Sequence, residues 1–170
     1  MRSGLHVVCM VIAAALATNA CDSPTRPSDN PNGLAAQLLA SSVIPPVTNT
    51  EAQGTGFATM TLQIVRDSGG VITSAKIDIQ VTLANLPAGT NLTEAHIHLG
   101  AMGEQGGLVV DTGLLPGEVM LVAGAGSFTR AGIVIPNSIA QELMAAPTNF
   151  YFDVHSERNL AGMVRGQLSH

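Results

Sequence analysis

A chain of 170 residues accommodates one domain with short appendages. It is 46% apolar but only 3% aromatic and lacks Trp, so its core must be built from Val, Ile, Leu, Ala and Met. Twelve acidic against seven basic side chains give a net charge of −5. That leaves no basic patch to displace counterions and argues against a nucleic-acid partner.

The N-terminus accounts for part of the apolar excess. Arg2 precedes the run LHVVCMVIAAALA, Leu5 to Ala17. This run falls short of the roughly 20 residues that a membrane-spanning helix needs, and it suits the core of a signal peptide over residues 1–20. Ala20 directly before Cys21 resembles the lipobox of bacterial lipoproteins, and on that reading Cys21 is lipidated and begins the mature chain. Ordinary signal-peptidase cleavage near Ala20 is the alternative. Cys9 lies in the removable segment, so acylation would explain the lone remaining thiol of an exported protein. The expected mature domain has neither a disulfide nor a thiolate metal site. It is held to a membrane of the cell envelope through its lipid, with an unknown envelope protein or polymer as partner. The stretch CDSPTRPSDNPNG, Cys21 to Gly33, with three prolines, reads as a disordered tether that we extend to residue 35.

From about residue 34 the pattern becomes strand-like, and residues 36–170 form the expected domain. In Thr55 to Val65, Gly56, Ala58, Met60, Leu62 and Ile64 alternate with Thr and Gln, with Phe57 standing on the polar side. After the turn DSGG, Asp67 to Gly70, Ile77, Ile79, Val81 and Leu83 alternate with Lys76, Asp78, Gln80 and Thr82. Period two on both sides of a glycine pair predicts a hairpin. Shorter strands are predicted at Ala95–Leu99, Leu108–Val110, Val119–Val122 and Gly126–Arg130. One helix is predicted over Pro136 to Pro147, with Asn137 or Ser138 as cap, Ser138 and Gln141 at capping-box spacing, and a buried stripe of Ile139, Leu143 and Met144. NFYFDVHS and GMVRGQL give two closing strands. The fold class is all-β: an antiparallel, Greek-key-like β-sandwich with one short helix.

Three blocks in this order carry a resemblance: VIPPV (Val43 to Val47), AHIHLGAMGEQGGLVV (Ala95 to Val110) and PTNFYFDVHSERNLAGMVRGQL (Pro147 to Leu168). Together they resemble the CHRD domain, named for its occurrence in chordin, over roughly residues 36–168. Asp153 stands where that family commonly has Asn, and NLAGMVRG lacks the usual turn proline. The resemblance implies an extracytoplasmic β-sandwich. In chordin such domains belong to a protein that binds growth factors, and no enzymatic activity carries over to this chain.

His96 and His98 lie two apart and share one strand face with Glu94, opposite Ala95, Ile97 and Leu99. Likewise Tyr151, Asp153 and His155 oppose Phe150, Phe152 and Val154. If these strands are neighbours, three imidazoles and a carboxylate converge. Nitrogen-rich sets of this kind suit zinc or copper(II). The competing reading is structural: the histidines bond to Asp153, Arg165, Gln167 or turn backbone and order the polar face. Catalysis ranks last, because no G-x-S-x-G, H-E-x-x-H or P-loop is present and no carboxylate pair can be located. The sequence therefore gives a membrane-tethered binding or structural module, not an enzyme. Its alternative is a Cu/Zn-binding or redox protein using a surface His cluster, with Glu94, Asp153, Arg165 and Gln167 as structural or binding residues.

Overall fold

The computed structural model describes residues 30–170. The expected signal segment, Cys21 and the expected tether up to residue 29 lie outside the described residues. The described residues form nine strands in chain order: β1 (Gly33–Leu39), β2 (Thr55–Arg66), β3 (Ile72–Ala84), β4 (Thr90–Leu99), β5 (Leu108–Asp111), β6 (Met120–Leu121), β7 (Gly126–Val134), β8 (Phe150–Ser156) and β9 (Asn159–Gln167). Among the described residues one α-helix, α1 (Asn137–Ala145), links β7 to β8. Among the described residues no helix is long and apolar enough to cross a membrane.

The β2–β3 hairpin forms as its alternation requires. Ala58, Met60, Leu62, Ile77, Ile79, Val81 and Leu83 are buried, while Phe57 stays on the exposed side. Its turn is closed by Asp67, whose Oδ1 accepts the Gly69 and Val71 amides at 2.9 Å. Gly70 follows at φ +84°, the left-handed region that glycine enters without steric cost.

The sheet order is β5-β4-β8-β9-β1-β2-β3-β7, with β6 paired to β4 off that path, and every pairing is antiparallel. It divides into two arms, β5-β4-β8-β9 and β1-β2-β3-β7. They join where Leu39 pairs with Arg165 and where Ala35 bridges Ser169. The chain crosses between the arms from β3 to β4, from β6 to β7, and through α1 to β8. Leu38, Met60 and Ile79 from one arm share a single core cluster with Ile97, Phe152 and Val164 from the other. The sandwich is thus one curled sheet whose two arms pack face to face, with β5 and β7 as its edges, which keeps the large inner faces away from water.

Several sequence expectations shift at their edges. Gly33, Leu34 and Ala35, assigned to the tether, belong to β1. The four short strands become β4, β5, β6 and β7, with β4 and β7 each four or more residues longer than predicted. The helix starts at Asn137 without a side-chain cap, so Ser138 lies inside it and the capping box does not form. Asn137 instead donates its side-chain amide to the Ile72 carbonyl at 2.9 Å, tying the helix to β3. Its fully buried residues are Ala140 and Leu143, with Ile139 and Met144 packed at the core margin. Leu99, expected in the core and in phase with the buried Ala95 and Ile97, is half exposed at the end of β4.

Gly166 sits at the joint between the arms. A Cβ built there falls 2.1 Å from the Gln37 carbonyl oxygen of β1. Gly166→Ala must therefore push β1 off β9, and is expected to lower stability by about 1–3 kcal/mol, the range for forced overpacking, in urea unfolding.

Candidate metal centre

Strand register builds the site. Across β4, β8 and β9, His96 faces Asp153 and Asp153 faces Arg165; one row further along, His98 faces Tyr151 and Tyr151 faces Gln167. Directly opposed residues share a face, so alternation on three neighbouring strands gathers these side chains on the outer side of the sheet. The convergence inferred from the two sequence motifs is realised by the β4–β8 pairing. A bulge between Leu92 and Ala95 separates Glu94 from this arrangement.

The outer face is not open to water. His96, Asp153, His155 and Arg165 are all buried, and His98 is nearly so. The expectation of a surface His cluster is therefore corrected: the loop 100–107 folds over it. Arg165 pins this loop by donating from Nη2 to the carbonyls of Glu104 at 2.6 Å and Ala101 at 3.3 Å. Gln167 donates to Gly100, Thr148 and Phe150 carbonyls, each at 2.8 Å. Gln105 reaches from the loop to the Ile44 carbonyl at 2.5 Å. Neither Arg165 nor Gln167 bonds to a histidine; they hold the cover in place. Glu94 is exposed and outside the cluster, acting on His155 only through its charge.

At the centre, one ligand-capable atom from each of His96, His98, Asp153 and His155 lies within 4.8 Å of all the others. His96 Nδ1 is 3.3 Å from His155 Nε2. Asp153 Oδ1 is 3.4 Å from His98 Nε2 and 3.2 Å from His155 Nε2. The tautomers follow from the outer partners. His98 Nδ1 sits 3.1 Å from the Gly106 carbonyl and His155 Nδ1 2.9 Å from the Leu160 carbonyl. A carbonyl can only accept, so both Nδ1 atoms carry protons, and in the neutral rings both Nε2 atoms present lone pairs inward. Those lone pairs face a carboxylate oxygen. His98 Nε2 and Asp153 Oδ1 are in fact buried without any aligned hydrogen bond. Unpaired buried acceptors this close together repel, and only a positive charge between them removes the conflict.

The ionisation directions express the same demand. Burial pushes the Asp153 carboxyl up, but His155 and His98 outweigh it and hold the group below its ordinary value. Burial lowers His155, yet Asp153 and the Leu160 carbonyl raise it above the usual imidazole value overall. His96 is lowered, by burial first and then by the neighbouring His155. Burial also lowers Arg165, although its guanidinium stays cationic.

Tyr151 completes the wall. Its ring stacks on His98 with centroids 4.9 Å apart and planes 4° from parallel, while the Arg165 guanidinium lies 3.4 Å above its centroid. The structure also adds residues that the sequence reading did not place here: Gly106 and Leu160 as backbone acceptors, and Asp111, whose Oδ1 is 3.9 Å from His96 Nε2. Backbone acceptors leave no signal in side-chain identity. Asp111 could have been found only by pairing LVVD with HIHL.

These features define a class: an all-β domain of one curled antiparallel sheet, carrying a buried three-histidine, one-aspartate cluster under a pinned loop. A family model for the CHRD domain matches residues 34–168, and the chain belongs to that family. No curated protein and no solved structure shows significant similarity to it.

The metal-free domain should show the ionic balance directly. Asp153, depressed in the fold, contributes stability above its ordinary pKa and loses it as pH falls through the folded value. His155, raised in the fold, contributes stability below about 6.5, its unfolded value, and loses it as pH rises through the folded one. Stability should therefore be highest between these limits. Asp153→Asn, which removes the main group raising His155, should flatten the alkaline decline in chelator-treated protein followed by thermal unfolding.

Proposed function

We propose that this CHRD domain is a non-enzymatic binding module whose built-in ligand is a divalent transition-metal ion, zinc best of all. The three donor separations of 3.2, 3.3 and 3.4 Å carry this reading. A tetrahedron with metal–ligand bonds of about 2.0–2.1 Å has edges of about 3.3–3.4 Å. The ligand atoms are His96 Nδ1, His98 Nε2, His155 Nε2 and Asp153 Oδ1. Three nitrogens and one oxygen within 4.8 Å of one another, with three of their six separations at tetrahedral edge length, suit zinc, whereas copper(II) favours a flatter arrangement. Four protein ligands in a covered site fit an ion that fastens structure rather than one that keeps a position open for substrate. It would tie β4 to β8 and fix the 100–107 loop through His98 and Gly106.

Elemental analysis of the untagged protein after zinc addition and desalting should find one ion per chain. His98→Ala should abolish it. At zinc a hundredfold above the dissociation constant, the ion should add about 2.7 kcal/mol to stability. Absence of zinc uptake at micromolar metal would return the histidines to a purely structural role and leave a module defined by its partner.

We also propose that the module works at the cell envelope, lipid-anchored through Cys21. The support is sequence alone: the apolar run Leu5 to Ala17, Ala20 before the cysteine, and the proline-rich stretch that would space the domain from the membrane. In membrane fractionation, Cys21→Ser should move the protein from the membrane pellet to the soluble fraction. A variant that stays in the pellet would sink the anchor.

A further inference from the structure

Every histidine of the proposed centre needs an acceptor for the ring N–H that points away from the ion. His98 has the Gly106 carbonyl and His155 has the Leu160 carbonyl. His96 differs. Its Nδ1 is in contact with His155 Nε2 at 3.3 Å, and its Nε2 faces Asp111 Oδ1 at 3.9 Å, beyond hydrogen-bond range.

This difference has a consequence for ion uptake. His155 Nε2 and His96 Nδ1 are close enough to share one proton. In the neutral pair that proton must sit on His96 Nδ1, because His155 already carries its own on Nδ1. An ion between the two rings needs both lone pairs, so His96 must move its proton to Nε2. The group standing opposite that atom is Asp111, placed there by strand register, since His96 and Asp111 are paired residues of β4 and β5. Asp111 is already oriented: its Oδ1 accepts the Gly113 amide at 2.8 Å. Its side chain is 64% exposed, so a movement of about 1 Å at the carboxylate would bring an oxygen into hydrogen-bond range of His96.

We propose that Asp111 is an outer positioning residue of the metal centre, accepting the Nε2–H of His96 and thereby fixing His96 as an Nδ1 ligand. The inference rests on the zinc reading above. A carboxylate in this position fixes the ring tautomer, strengthens the inner nitrogen as a donor and offsets part of the ion's charge.

The test measures zinc affinity by chelator competition in the untagged full chain and in Asp111→Ala and Asp111→Asn. Loss of an outer partner of a histidine ligand usually weakens binding about 10–100-fold. Asp111→Ala should fall in that range, and Asp111→Asn should lose less, because its amide oxygen still accepts. Nitrogen-15 NMR of the histidine rings supplies a readout that general destabilisation would not mimic. In the zinc form of the wild type, His96 should be protonated at Nε2 and bound through Nδ1; zinc-free, and at a pH where His155 is neutral, the proton should reside at Nδ1. An unchanged dissociation constant in Asp111→Ala, or a His96 bound through Nε2, would overturn the role of Asp111 while leaving the centre intact. Failure of the wild type to take zinc would remove both.

Discussion

Asp153 Oδ1 sits between His98 Nε2 and His155 Nε2, and both rings have committed their N–H groups to backbone carbonyls. Three electron-rich atoms are thus held together inside a covered part of the protein. Such an arrangement persists only around a positive charge, whether a proton taken up by His155 or a metal ion coordinated by all of them. The surroundings are built to keep the demand in force. Arg165 stands opposite Asp153 on β9 and lies over the Tyr151 ring, yet spends its donors on the Ala101 and Glu104 carbonyls and not on the carboxylate. A guanidinium bonded to Asp153 would have neutralised the site. Placed where it is, it closes the loop over the cluster and leaves the inner oxygen free.

The fold serves this geometry through register. A slip of one residue between β4 and β8 would turn His96 and His98, or Asp153 and His155, into the core and push Ile97 or Phe152 outward. Burial of Ala95, Ile97, Phe152 and Val154 on the inner face therefore sets the polar face as well. The cost of misplacing large apolar side chains is what holds the imidazoles in position. The joint between the arms adds the second constraint. β9, which carries Arg165 and Gln167, pairs with β8 on one side and is approached closely by β1 at Gly166 on the other. The stability of the sandwich and the order of the loop are thus consequences of the same strand contacts.

Much of the fold could be read from local pattern. The β2–β3 hairpin, its Asp-Gly turn, the single helix and the two closing strands all follow from apolar spacing and from turn residues, which act over a few positions. The face shared by His96 and His98, and that shared by Tyr151, Asp153 and His155, followed from period two in the same way. Errors came where local rules compete with distant partners. Ser138 has capping-box spacing, but the helix begins where Asn137 can bond to β3. Leu99 has the right phase for the core but stands half exposed at the end of β4.

The sequence by itself determined the all-β class, the CHRD membership through three spaced blocks, and the chemical types at the centre. Tertiary structure alone decided that β4 lies beside β8, that the cluster is buried, and that Asp111, Gly106 and Leu160 complete it. The physical reason is range. Alternation and turn propensity are encoded within a few residues, whereas strand neighbours are selected by the packing of the entire core. Residues 59 positions apart, His96 and His155, meet only after that selection has been made.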